Sequence, residues 1–479
     1  MGGVKMADIK FGTDGWRAII SDDFTFANVG IVSQAISSFI LDQKEPVYKK
    51  REVVIGYDTR FMSDKYAEII AKNMAANGIK AILSVAACPT PSVSYYIKKY
   101  KLTGGVMITA SHNPAEYNGV KYKGFFGGSA GPDIIKDIEA RLHKNNVKTL
   151  DFEEALKKGL IVKKDLVTDQ LDFIKKYADM AKLKKAKLKV LVDSMNGSGG
   201  TYLGDLLKGT SIKVDYMNTE LNPSFNGKSP EPNGKYLKEL MIRVKNGGYD
   251  IGVATDGDAD RVGIVDEKGR VLSGHKVMSL LLLHLLINKK MTGGVVQTVC
   301  GTRLIDKIST EYGIKAYETP VGFKYLCELM IKEDILLAGE ETGGIGFKNY
   351  IPERDGFLSA LLIMEMMITM KKSLSEILKW VDSKFGKYVY QREDMSFPEK
   401  SRDNIVSGLE KKPLEKILNK KVVSLNKADG IKFICEDESW LLLRMSGTEP
   451  KLRIYAETSS EKLAGEYIEF GRKYALSLM

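Results

Sequence analysis

Short apolar runs empty repeatedly along this chain into polar loops punctuated by glycine, with helix-patterned segments in between. That alternation predicts α/β units rather than segregated helical or all-β architectures. The run 51–60 reads as a strand ending in a polar turn, a helix follows over about 63–77, and 79–85 supplies the next strand. Further strands are read at 105–109, 187–193, 249–255, 293–299, 335–339, 440–443 and 451–455. Strand, polar loop and helix recur without an exact sequence repeat, as related α/β units would. The glycine-rich turn 196–200 reads as mobile.

A chain of 479 residues is too long for one core, and usual domain sizes predict about three or four. Breaks near 185, 290 and 388 divide it into 1–185, 186–290, 291–388 and 389–479. The 44% apolar and 28% charged fractions describe a soluble globular protein. A net charge of +11 raises the question of nucleic acid. The lysines are dispersed, as over 182–189, and no basic motif is interleaved with aromatics, so nucleic acid is not an expected partner. Cys88, Cys300, Cys327 and Cys435 are far apart and form no zinc spacing, which predicts reduced, mostly buried thiols. The most apolar run, 277–287, is interrupted by Ser279 and His284 and falls far short of a bilayer span. No membrane association is expected, and a cytoplasmic location follows.

Four polar loops carry the chemistry. Ser111 lies in Thr109-Ala110-Ser111-His112-Asn113-Pro114, at the carboxyl end of a strand, where ligands bind in open α/β sheets. Alone, it reads as a helix cap. No Gly-x-Ser-x-Gly elbow surrounds it, which argues against a serine hydrolase, and His112 reads as an orienting residue rather than a base. Asp256, Asp258 and Asp260 alternate, so three carboxylates converge on one hard cation, with Mg²⁺ the natural candidate. An EF-hand is excluded by Arg261 at the position where that loop needs glycine, and by apolar strands on either side. Glu340 and Thr342 sit just past a strand, beside Gly343-Gly344. Arg444, Ser446, Gly447, Thr448 and Arg453 combine two guanidinium groups, two hydroxyls and freed backbone N–H groups, a phosphate grip. Lys121 is a candidate proton shuttle or phosphate ligand, and Arg17 reads alone as a surface residue.

In this order the motifs resemble the α-D-phosphohexomutase family, the phosphoglucomutases and phosphomannomutases, over the whole chain. The resemblance implies a heart-shaped arrangement of four domains, three sharing an α/β fold with mixed sheets and a smaller C-terminal α+β domain. It implies a phosphoserine at Ser111, with Mg²⁺ held by Asp256, Asp258, Asp260 and a phosphoserine oxygen, and Arg261 on the reacting phosphate. Lys121 becomes the general acid/base with Arg17 close by. His112, Lys324, Glu340 and Thr342 become substrate contacts, and Arg444, Ser446, Gly447, Thr448 and Arg453 hold the distal phosphate. The implied reaction interconverts hexose 1-phosphate and hexose 6-phosphate through a hexose 1,6-bisphosphate, in a monomer or homodimer, with a phosphohexose as the partner. Thr342 stands where serine is more usual, and Ala18 where glycine is common. Phe323 and Gly344 stand where some dual-specificity members carry histidine, which leans the expectation towards glucose, with phosphoglucosamine mutase as the alternative and a non-catalytic phosphosugar-binding protein as the alternative of another class.

Overall fold

One strand arrangement occurs three times. The computed structural model describes residues 9–12, 14–411, 413–446 and 450–479. In the first sheet, Glu52–Tyr57 lies parallel between Lys80–Ser84 and Gly104–Ile108, and Gly104–Ile108 pairs antiparallel with Tyr117–Gly124. In the second, Lys189–Asp193 lies parallel between Lys213–Met217 and Ile251–Thr255, and the latter pairs antiparallel with Val262–Asp266. In the third, Gly294–Thr298 lies parallel between Ala316–Thr319 and Ile335–Gly339, and the latter pairs antiparallel with Ile345–Phe347. Extra edge strands complete the first two sheets: Trp16–Ile19 and Ile161–Lys164 in one, Val271–Leu272 in the other.

This corrects one expectation. The polar loops at 109–116 and 340–344 return into an antiparallel strand rather than a helix, as the aspartate loop 256–261 does between its two expected strands. The physical reason is visible in Val262–Asp266, where all five residues are buried. A fully buried run of that length satisfies its backbone best by pairing with its neighbour. All three loops therefore occupy one topological place, the reversal after the outer parallel strand.

The fourth sheet is different in kind. Val389–Ser396, Lys416–Ile417, Lys420–Asn426, Ile431–Cys435, Trp440–Met445 and Lys451–Thr458 pair antiparallel throughout, backed by the helices Arg402–Lys411 and Glu461–Leu476. Three α/β units with mixed sheets and a C-terminal α+β unit match the expected fold class.

The largest apolar core runs through all three α/β units and takes in the helices Gly274–Leu283 and Gly356–Met370. Every residue from Gly356 to Met367 is buried, and the helix is apolar on all sides, which suits it to the interior. Asp355 caps its start by accepting the Leu358 N–H at 2.9 Å. The turn 196–200, expected to be mobile, is packed instead: Asn196 and Ser198 are buried, and Ser198 N–H donates to Gly257 O at 2.9 Å. A Cβ on Gly197 would lie 2.8 Å from Gly257 Cα, so glycine here serves close approach rather than freedom. All four cysteines are free and buried, as expected. Among the described residues no helix is long and apolar enough to cross a membrane.

Candidate active site

Ser111 has φ of +52°, in the left-handed region that serine rarely adopts. Such a conformation persists only where its surroundings over-determine it, and here they do. Thr109 Oγ1 accepts the Ser111 N–H at 2.8 Å and donates to Asp58 Oδ2 at 2.6 Å. The Arg60 guanidinium donates to the carbonyls of Ser111 at 2.7 Å, Asn113 at 2.6 Å, Pro114 at 2.7 Å and Tyr117 at 2.9 Å. Asp58 neutralises Arg60 from 3.2 Å, with both side chains fully buried. The loop is thus riveted from its own sheet, and its hydroxyl faces the next one: Ser111 Oγ donates to Asp256 Oδ2 at 2.8 Å.

The three aspartates are fully buried, and one carboxylate oxygen from each lies within 4.8 Å of the others. Their outer oxygens are taken by the protein. Asp258 Oδ2 accepts from Thr90 Oγ1 at 2.6 Å and Lys121 Nζ at 2.8 Å; Asp260 Oδ2 lies 2.7 Å from Arg354 Nη2. Asp258 Oδ1 and Asp260 Oδ1 are buried with no hydrogen-bond partner. Two orphaned carboxylate oxygens beside a third carboxylate fit a hard divalent cation, whose charge would satisfy them. Burial, with the charges of Asp258 and Asp260 added, pushes the Asp256 carboxyl well above its usual range.

Lys121 lies 2.9 Å from Asp14, 2.8 Å from Asp258 and 3.4 Å from Asp260. Burial favours the neutral amine, but the three carboxylates outweigh it and raise the pKa, so this residue is held as an ammonium. Arg17 Nη1 donates to Asn113 Oδ1 at 2.7 Å, which places it on the serine loop rather than at a free surface. His112 Nδ1 is buried without a partner, and burial with Arg261 and Arg17 nearby holds the imidazole neutral, its pKa well below the usual value. Arg261 lies 3.9 Å from Asp260 Oδ1, and its own Nε has no hydrogen-bond partner.

Glu340 Oε2 lies 3.3 Å from Arg354 Nη1, and burial pushes its carboxyl up to about 7. Thr342 Oγ1 is buried without a partner. Lys324 is half-buried, which lowers its pKa, with the charges of Asp14 and Glu139 acting against this. In the fourth sheet, Arg444 and Arg453 are cross-strand partners. Arg444 Nε donates to Asp429 Oδ2 at 2.7 Å, the Ser446 N–H donates to Lys451 O at 2.8 Å, and Arg453 Nε is buried without a hydrogen-bond partner. Gly447 and Thr448 lie outside the described residues.

Ser111, His112, Arg17, Lys121, Arg261 and the aspartates thus converge on one place, and Glu340 joins them through Arg354. The Arg444 group is tied to the third sheet's unit instead, through the Val321 N–H on Asp429 Oδ2 at 3.0 Å. Sequence reasoning missed Asp14, Asp58, Arg60, Thr90, Arg354 and Asp429. A signal existed for Arg354: Glu353-Arg354-Asp355 puts three consecutive charges against an unbroken apolar helix, and all three are buried.

Models of the phosphoglucomutase/phosphomannomutase family match the chain in four segments: the alpha/beta/alpha domain I over 8–148, domain II over 169–269, domain III over 273–383 and the C-terminal domain over 405–471. A phosphoglucomutase/phosphomannomutase of Thermococcus kodakarensis is 32% identical over 97% of this chain and 97% of its own. A phosphoglucosamine/phosphogalactosamine mutase of Sulfurisphaera tokodaii is 30% identical over 96% and 97%. A crystal structure from Thermus thermophilus, in the phosphomannomutase class, superposes with a TM-score of 0.86 at 32% identity, covering 98% of this chain and 99% of that one. The chain belongs to the phosphoglucomutase/phosphomannomutase family, the α-D-phosphohexomutases. It is accordingly an intramolecular phosphotransferase of the isomerase class.

Proposed function

We propose that the protein interconverts hexose 1-phosphate and hexose 6-phosphate through a phosphoserine at Ser111 and a hexose 1,6-bisphosphate. The observation that carries this reading is the strained, buried Ser111 hydroxyl 2.8 Å from a carboxylate of the aspartate cluster. Asp256, Asp258, Asp260 and a phosphoserine oxygen would hold Mg²⁺, which when bound supplies charge neutralisation for the reacting phosphate. In the first transfer the bond from phosphorus to Ser111 Oγ breaks and a bond to the free sugar hydroxyl forms. The hydroxyl proton ends on Ser111 Oγ. Lys121 is assigned to proton transfer, giving a proton to the departing serine oxygen and being restored by the hydroxyl proton. After the bisphosphate turns over, the second transfer runs the same steps in reverse on the other phosphate.

Arg17 and Arg261 are assigned to the reacting phosphate, with His112 orienting the serine loop. Glu340, Thr342 and Lys324 are assigned to the sugar, and Arg444, Ser446, Gly447, Thr448 and Arg453 to the distal phosphate. Domain divisions near 185, 290 and 388 belong to the same reading, and each falls between the last strand of one sheet and the first of the next.

For the sugar, we propose glucose, with mannose phosphates as further substrates. Phosphoglucosamine mutase is supported at least as well, because amino-sugar mutases stand among the relatives at similar identity. Rates on glucose 1-phosphate and glucosamine 6-phosphate, measured side by side, separate the two. The phosphoserine is tested by intact mass before and after phosphatase. One phosphate mapped to Ser111 is expected, and Ser111→Ala with full mutase activity overturns the mechanism.

A further inference from the structure

Arg354 joins residues from three sheets at one point. It is 2% exposed, and its Nη2 lies 2.7 Å from Asp260 Oδ2 and 2.7 Å from Asp14 Oδ2. Nη1 lies 3.3 Å from Glu340 Oε2 and Nε 3.2 Å from Glu353 Oε1. Asp14 precedes the first sheet, Asp260 is on the second sheet's cation loop, and Glu340 is on the third sheet's sugar loop.

A buried arginine can be no more than a rivet, so the details of its grip matter. Arg354 takes Oδ2 of Asp260 and leaves Oδ1 free, as Thr90 and Lys121 do at Asp258. Each aspartate so held still offers one carboxylate oxygen within 4.8 Å of the others. At its other end Arg354 fixes Oε2 of Glu340, so one planar group sets the cation loop against the sugar loop.

The sequence has also made room for it. A Cβ on Gly344 would lie 2.4 Å from Arg354 Cδ, and the Phe323 ring lies 5.1 Å from the guanidinium carbon. Gly344 and Phe323 therefore both pack on Arg354.

The geometry points to Arg354 as a positioning residue that couples the cation site to the sugar grip, acting through Asp260 and Glu340. This rests on the proposed assignment of those two residues. Charge and position predict opposite results, which makes the role testable. A guanidinium acting only as a positive charge would repel the cation, so its removal would tighten binding. A positioning arginine predicts the reverse.

The test is calorimetric titration of the full-length protein with Mn²⁺, together with KM and kcat, for Arg354→Gln, Arg354→Lys, Gly344→Ala, Lys123→Gln and Asp258→Asn. Lys123 is equally buried and pairs with Glu353 in the same body. Arg354→Gln is expected to weaken Mn²⁺ binding about tenfold or more and to raise KM. Gly344→Ala, which keeps the charge but displaces its stem, should move both quantities the same way, and Lys123→Gln, which reaches the site only through Asp14 and Glu353, should weaken Mn²⁺ binding much less than Arg354→Gln. Unchanged or tighter Mn²⁺ binding in Arg354→Gln overturns the role, as does an equal loss in Lys123→Gln. Should Arg354→Gln not fold, Arg354→Lys and Gly344→Ala decide on the same criterion. Asp258→Asn guards the underlying reading: if it binds Mn²⁺ like the parent, the cation site itself is wrong, whereas its loss beside an unaffected Arg354→Gln sinks the positioning role alone.

Discussion

Where the first three sheets meet, Asp14, Lys121, Lys123, Asp258, Asp260, Glu353 and Arg354 are buried or nearly so and joined by ion pairs. Where the fourth sheet meets the third, the centre is apolar, with Val299 and Cys300 against Trp440, Leu442 and Tyr455. Ion pairs stand around that centre, Lys432 with Glu318 at 3.1 Å and Lys307 with Glu438 at 2.6 Å. A buried ionic cluster tolerates little displacement, because each partner removed leaves a charge stranded at about 3–5 kcal/mol. An apolar centre with partly exposed ion pairs tolerates sliding better, since those contacts are non-directional and the charges screened, and directional ties such as the Val321 N–H on Asp429 and the Arg303 N–H on Glu457 limit it. The end of the site assigned to phosphoryl transfer is thus built on the first kind of junction, and the end assigned to the distal phosphate on the second.

The comparison is broken most directly by two substitutions. Ser111→Ala is expected to lower mutase turnover by about 10³-fold or more, because the proposed mechanism routes both transfers through that hydroxyl. Asp429→Asn, at the other junction, removes the charge that orients Arg444 and holds the Val321 N–H. A charge-assisted hydrogen bond of that kind is worth about 2 kcal/mol, which predicts a rise of roughly thirtyfold in KM for the hexose phosphate with kcat little changed. If steady-state kinetics instead put the loss in kcat, the distal end takes part in the chemistry and the two junctions are not functionally distinct.

These two residues also mark what the sequence made legible. Ser111, Asp256, Asp258 and Asp260 declare themselves because their chemistry lies in a short local pattern, and the strands that deliver them are apolar runs. Observed strands at Lys189–Asp193 and Ile335–Gly339 fall where the pattern puts them. Asp429 is invisible locally, because its meaning lies in Val321, 108 residues away; at Arg354 the run of charges 353–355 is visible, but not the partner Asp14, 340 residues away. The antiparallel return of the loops at 109–116 and 340–344 was missed for a related reason: a buried run has no periodicity by which to choose its pairing. The buried turn at 196–200 was misread because glycine permits both mobility and close packing, and only the neighbouring Gly257 decides between them.

A smaller effect sharpens the comparison at its boundary, on Glu340, which touches the ionic cluster through Arg354. Its carboxyl is pushed up to about 7 from 4.5 by burial, so it binds a proton more readily in the folded protein than in the unfolded chain. The sign follows: its ionisation costs the fold stability as pH rises from 4.5 through about 7. Function runs the other way, because the ionised form is the better acceptor for a sugar hydroxyl. We expect kcat/KM to fall about fivefold between pH 7 and pH 6, a limb absent from Glu340→Gln. A pH profile with the same limb in that variant would assign it to another group.

The smallest effect is expected at the apolar seam, and it has the opposite sign. Tyr390 lies against His275 with ring centroids 4.5 Å apart, and its hydroxyl is buried without a hydrogen-bond partner among the described residues. Leaving a buried hydroxyl unpaired costs stability, so Tyr390→Phe should remove a penalty rather than a bond, with a gain of up to about 1 kcal/mol in unfolding free energy. The same deletion in the ionic cluster would be strongly destabilising, which is the contrast at issue. Denaturant unfolding beside mutase kinetics checks it, with KM and kcat expected to stay at parental values. Should Tyr390→Phe destabilise by more than about 1 kcal/mol, the hydroxyl has a partner in solution, and the seam is a specific polar lock rather than a surface on which the fourth domain can shift.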